Sequence, residues 1–123
     1  MISKRLAPGE RPTFPRRAVI TAGMPYGNKN LHFGHVGGMF LHADIFARFL
    51  RDRIGKDNVI FLSGTDCYGS PILESWRRLQ ESGYEGSLED YVYKNHMNQK
   101  ETLERYPIGL HFFRASALGE AGA

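Results

Sequence analysis

Ala18-Val19-Ile20-Thr21-Ala22-Gly23-Met24-Pro25-Tyr26-Gly27-Asn28-Lys29-Asn30-Leu31-His32-Phe33-Gly34-His35 is the stretch on which the fold turns. Ala18 to Met24 is short, apolar and β-branched, and a breaker ends it, which is the pattern of a buried strand. Pro25 to Asn30 is turn-rich. His32 and His35 then stand where a helical pattern begins, so the predicted order is strand, loop, helix N-terminus. That order presents free backbone N–H groups to an anion, and two imidazoles three residues apart add donors on the same side.

From Val36 to Ile54 the apolar residues Val36, Phe40, Ala43, Ala47, Leu50 and Ile54 follow a helical stripe. Met39, Ile45, Phe46 and Phe49 widen it, which predicts a helix packed on more than one side. Gly55 is placed as its left-handed stop. Val59-Ile60-Phe61-Leu62 reads as a second buried strand that opens into Ser63-Gly64-Thr65-Asp66-Cys67-Tyr68-Gly69. Ser70-Pro71 predicts an N-cap and a first-turn proline for a helix to about Ser82, with Gly83 as terminator. Ser87-Leu88-Glu89-Asp90 predicts another capped start, for a helix that Pro107 must end or kink.

Two buried strands joined by a helix form a parallel pair, and parallel strands end on the same edge of the sheet. The histidine loop and the Gly64-to-Gly69 loop therefore belong to one rim, the edge at which open α/β sheets bind ligands. At that rim His32 and His35 could hydrogen-bond a polyphosphate, and their pKa values of about 6.5 would rise beside it. Gly34 would let a flat ring approach the backbone. A bare His-x-x-His is more often a polar turn, but the strand before it, the helix after it and the glycine within it favour the functional reading. Asp66 could hold an ammonium group or merely brace its loop. Met24 and Tyr26 could line an apolar pocket or serve as ordinary packing. His32 and His35 with Asp66 or Cys67 fall short of a tetrahedral zinc set, so no protein-bound metal is expected. Cys67 has no base beside it and reads as inert.

Size and composition bound these readings. At 123 residues, with 41% hydrophobic and 24% charged content, the chain is that of a globular protein. Its net charge of +3 is concentrated in residues 1–17, where Lys4, Arg5, Arg11, Arg16 and Arg17 face only Glu10. With Pro8, Gly9, Pro12 and Pro15, that stretch reads as a basic flexible tail. No signal-peptide or membrane-span pattern is present, and a lone cysteine suits a reducing cytoplasm.

Pro25-Tyr26-Gly27-Asn28, Leu31-His32-Phe33-Gly34-His35, Ala43-Asp44, Gly64-Thr65-Asp66 and the stretch around Gly109 together resemble the opening of a class I aminoacyl-tRNA synthetase, with the methionine enzymes the most similar. The likeness covers about residues 18 to 115. It implies a Rossmann-like nucleotide-binding half-domain, with parallel strands and crossover helices, over residues 18–123. It also implies formation of methionyl-adenylate from methionine and ATP, followed by transfer to tRNA. Under that resemblance His32 and His35 contact the ATP phosphates and stabilise the pentacovalent transition state, and Gly34 makes room for adenine. Asp66 binds the amino group of methionine, while Gly23, Met24 and Tyr26 line its side-chain pocket. Mg2+ arrives with the ATP. Tyr68 stands where the family has histidine, and Phe33 replaces a smaller aliphatic residue.

The family's Lys-Met-Ser-Lys-Ser loop and later parts lie outside this sequence, so the chain reads as half of an active site, weak or inactive alone. It would seek a C-terminal half or self-associate through an exposed interface. The alternatives are a small nucleotidylyltransferase, which shares the His-x-Gly-His arrangement, and a non-catalytic nucleotide- or partner-binding module.

Overall fold

The structure, a computed structural model, describes residues 7–118 apart from Pro12. Of the basic N-terminal stretch, residues 1–6 and Pro12 lie outside the described residues. Its Phe14 meets Phe49, with ring centroids 5.9 Å apart.

Three parallel strands, β1 (Ala18–Thr21), β2 (Val59–Thr65) and β3 (Phe112–Ala115), lie side by side in chain order. Ala18 pairs with Val59 and Thr21 with Leu62; Leu62 pairs with Phe112 and Thr65 with Ala115. The helical run after β1 opens as α1 (Phe33–His35), passes through a π-helical stretch (Val36–Phe40) and continues as α2 (Leu41–Ile54). Gly55, at φ 96°, stops it in the left-handed region that the sequence required there. After β2 come α3 (Ser70–Glu81) and α4 (Leu88–Arg105). The parallel α/β architecture is thus the expected one.

The core follows from the helical stripe. Phe40, Ala47 and Leu50 pack on Ala22, Val59 and Phe61, with Leu103 and Ile108 closing the cluster. A second cluster, Ile72, Tyr91 and Val92, joins α3 to α4 and takes in Cys67 and Trp76 at its margin. Ser87 and Asp90 form the expected capping box of α4, each side chain accepting the other's backbone N–H.

Several boundaries differ from expectation. β1 ends at Thr21 rather than Met24, because the Ser63 hydroxyl donates to the carbonyls of Ala22 (2.9 Å) and Gly23 (3.3 Å). Those carbonyls are satisfied outside the ladder, and the chain bends away. Ser70 is the first helical residue and not the cap; the chain enters α3 through Gly69 at φ 124° with no capping side chain. α2 packs on the sheet by one flank, and on the other only Phe14 meets it, at Phe49, among the described residues. Ile45, Phe46 and Phe49 remain exposed, because the sheet lies under the opposite flank. β3 was not expected at all.

Asp44 ties the crossover helix to the chain leading into β3. Its carboxylate is buried and accepts from Arg48 Nε and from the Gly109 N–H, both at 2.8 Å. Arg48 in turn donates to the Pro107 carbonyl, and Arg51 donates to that of Gly109. Removing one partner of such a set strands a buried polar group, so Asp44→Ala should lower unfolding free energy by about 3 kcal/mol in urea titrations. Arg105→Ala, which breaks the exposed pair with Glu101, should change it by under about 0.5 kcal/mol. Equal effects of the two substitutions would contradict this assignment.

Candidate active site

The loop after β1 returns to the sheet at Tyr26, which forms an isolated parallel bridge with Asp66, one residue beyond β2. The Asp66 N–H donates to the Pro25 carbonyl and the Gly27 N–H donates to the Asp66 carbonyl, each at 2.8 Å. Two loops separated by some forty residues in sequence are therefore joined by backbone at one edge of the sheet, as the parallel topology required.

His32 and His35 cap the helical run with each other. His32 Nδ1 accepts the Gly34 N–H at 2.9 Å, and His35 Nδ1 accepts the His32 N–H at 3.2 Å. The rings lie with centroids 3.9 Å apart. Because both Nδ1 atoms are acceptors, each neutral ring carries its proton on Nε2, turned away from the helix it caps. Burial, then the neighbouring His32 and Lys29, hold the His35 pKa below the usual 6.5 of histidine.

Gly34 is small for a local reason: a β-carbon there would stand 2.7 Å from Cε1 of His32. The π-helical stretch follows immediately, a local widening of the helix frequently found beside functional sites.

Around the bridge, Asp66 Oδ1 accepts the Tyr68 N–H at 3.0 Å, which fixes the carboxylate and leaves its other oxygen able to meet a cation. Tyr26, 39% exposed, lies against Gly69, where a β-carbon would be 3.5 Å from Cε1 of the ring. Met24 lies across Gly64, where the carbonyl of Arg114 on β3 leaves no space for a side chain. Gly23 lies beneath the Met39 sulfur, 2.9 Å from where its β-carbon would be. The backbone bridge brings Tyr26 and Asp66 together. Gly23 instead lines a groove with Val19, Met39, His42 and Phe46, and His32 lines another with Thr102 and Tyr106. His35 follows His32 at the start of the helical run. Among the described residues no group of three or more His, Cys, Asp or Glu could hold a metal ion.

Sequence reasoning missed the polar residues beneath the loop. Gln99, with no exposed surface, donates from Nε2 to the carbonyls of Tyr26 and Lys29, both at 2.9 Å. The Tyr91 hydroxyl donates to the Asn28 carbonyl, and the Asn28 amide reaches Ser75 of α3. A signal existed: Val92, His96, Gln99 and Leu103 follow helical spacing on one buried stripe of α4, and two of the four are polar.

A parallel sheet with crossover helices on one face, its strand-end loops meeting at one edge, is a Rossmann-like α/β architecture. The family model described as tRNA synthetases class I (M) matches residues 18–117. The methionine–tRNA ligase of Chlamydia caviae is 39% identical over 99 residues, which is 80% of this chain and 17% of that protein. That of Thermococcus onnurineus is 40% identical over 102 residues, 83% of this chain and 13% of that protein. The structure of Mycobacterium tuberculosis methionyl-tRNA synthetase in complex with methionyl-adenylate superposes with a TM-score of 0.68 at 26% identity, covering 83% of this chain and 18% of that one. The chain belongs to the class I tRNA synthetases of the methionine group, and it spans less than a fifth of the length of these relatives.

The reciprocal cap makes a direct prediction. In a pH titration followed by NMR, His35 should be an Nε2–H tautomer with its midpoint below 6.5. A folded-state pKa below the unfolded value means the folded protein binds fewer protons, so this group's stabilisation is present above pH 6.5 and is lost as pH falls through the folded pKa. An Nδ1–H tautomer, or a midpoint above 6.5, would contradict the cap.

Proposed function

We propose that this chain is the N-terminal part of the catalytic domain of a methionine–tRNA ligase, residues 18–123 forming the first half of the site. The reaction is activation of methionine with ATP: a carboxylate oxygen of methionine attacks the α-phosphorus, pyrophosphate leaves, and the methionyl group later passes to tRNA. The observation that carries this reading is the Tyr26–Asp66 bridge beside a helix capped by His32 and His35.

His32 and His35 donate from Nε2–H to the phosphates and to the charge that builds on the pentacovalent phosphorus. Fixed donors of this kind do most of the work in such transfers. Neutral donors serve here without any proton transfer, since the leaving pyrophosphate is already an anion. Gly34 lies beside adenine, its missing β-carbon giving the His32 ring room to fold over the helix start. Asp66 pairs with the ammonium of methionine, and Gly23, Met24 and Tyr26 receive its side chain. Mg2+ would arrive with the ATP and offset the charge of its phosphates.

The reading extends to partners and setting. The sheet face opposite α2 exposes Val19, Ile60 and Phe112, an apolar surface suited to cover by the rest of a ligase or by a second copy. No helix among the described residues is long and apolar enough to cross a membrane. A cytoplasmic enzyme acting on tRNA fits the family.

Titration of the chain with ATP should show His32→Ala and His35→Ala each weakening binding by about tenfold. ATP–pyrophosphate exchange with a ligase remainder supplied should run with methionine and not with other amino acids. Unchanged ATP affinity in both variants, or exchange with no amino acid, would overturn the assignment.

A further inference from the structure

A chain of buried hydrogen bonds runs from α4 through β2 to the loop that carries Tyr26. Gln99 Nε2 donates to two carbonyls, of Tyr26 and Lys29, which fixes the amide orientation and makes its Oε1 an acceptor. Thr65 Oγ1 donates its only proton to that Oε1 at 2.8 Å. The same hydroxyl lies 2.7 Å from His96 Nδ1 and, having spent its proton, can only accept there. His96 is therefore the Nδ1–H tautomer, held flat on Phe113 of β3 with ring centroids 5.2 Å apart and planes 9° apart. Burial, and after it Lys100, lower its pKa, which keeps this ring neutral. Thr65 and Gln99 have no exposed surface, and His96 has 8%.

The hydrogen-bond sense is thus fixed at every step, from imidazole to hydroxyl to amide to two loop carbonyls. Beside the two backbone bonds at the bridge and the contacts of Asn28 with Tyr91 and Ser75, this relay holds the loop at the carbonyl of Tyr26 itself and again at that of Lys29. Thr65 also directly precedes Asp66. One hydroxyl therefore connects the strand that presents the carboxylate with the amide that sets the height of the loop opposite.

We propose that Thr65 and Gln99 are positioning residues for the methionine half of the site, holding Tyr26 and Asp66 at a fixed separation, with His96 orienting the Thr65 hydroxyl. The inference rests on the proposed methionine-activating function. It assigns amino-acid recognition to a polar relay in the core, none of whose members touches the substrate. His32 and His35 lie outside the relay, so phosphate binding is largely independent of it.

The test is titration of the chain with L-methionine and, separately, ATP, followed by amide NMR, with urea unfolding measured in parallel. Gln99→Met keeps the volume but removes both donors. Thr65→Val removes the hydroxyl, and Thr65→Ser retains it while losing the methyl. In Gln99→Met and Thr65→Val methionine affinity should fall by about tenfold, with ATP affinity changed less than about twofold, and Thr65→Ser should keep methionine affinity. A merely structural role would lower stability and both affinities together, and would track the lost methyl in Thr65→Ser. Should Gln99→Met fail to fold, the Thr65→Val and Thr65→Ser pair decides. Wild-type chain that binds ATP and methionine, with Thr65→Val binding methionine equally well, overturns the relay alone. Wild-type chain that binds neither overturns the functional reading and the relay with it.

Discussion

Two amide-to-carbonyl bonds, Asp66 to Pro25 and Gly27 to Asp66, hold this site together. They extend the parallel pairing of β1 and β2 past the point where the ladder has ended, after β1 has bent away at Ala22. A loop of turn residues has little apolar surface with which to fix itself, and loops generally lie at the low-stability end of a fold. Here the bridge pins it at Pro25 and Gly27, Gln99 takes two of its carbonyls, and Asn28 reaches α3. The proposed recognition of the amino acid depends on that loop having one position relative to Asp66.

The histidine pair is organised by a different principle. A helix start has unsatisfied N–H groups, and the usual cap is a short oxygen-bearing side chain. In this chain each histidine uses Nδ1 for that task, with the consequence that the remaining ring nitrogen of each is committed as a donor. Under the proposed function, structure and chemistry are served by opposite edges of the same ring. Protonation of Nδ1 in His35 would abolish the acceptor that the His32 N–H needs, which links the pH behaviour of that ring to its geometry.

Much of this was legible in the sequence. Ala18–Met24 and Val59–Leu62 announced themselves as short apolar runs, although β1 stops at Thr21 and β2 runs on to Thr65; α2 stood out as a stripe, and α4 by its Ser87–Asp90 box. Parallel topology then placed Asp66 at the same edge as the Tyr26 loop. What escaped had physical reasons. β3 is four residues long, Phe-Phe-Arg-Ala, with no alternation strong enough to stand out from its surroundings. The premature end of β1 depends on a hydroxyl forty residues away. Gln99 and His96 look like solvated helix residues until α4 is docked, because satisfaction of a buried polar side chain is a tertiary property. The flank of α2 bearing Ile45, Phe46 and Phe49 misled in the other direction, since apolar residues announce a wish for cover without naming what provides it.

Amide hydrogen exchange of Gly27 and Asp66 in the intact chain tests the central claim most directly. Both amides should be protected, and they should open together with a common free energy and slower than the flanking Asn30 and Tyr68 amides. Exchange of Gly27 and Asp66 at the rates of an unstructured loop, while Val59 to Leu62 stay protected, would mean that the two loops do not share a mouth.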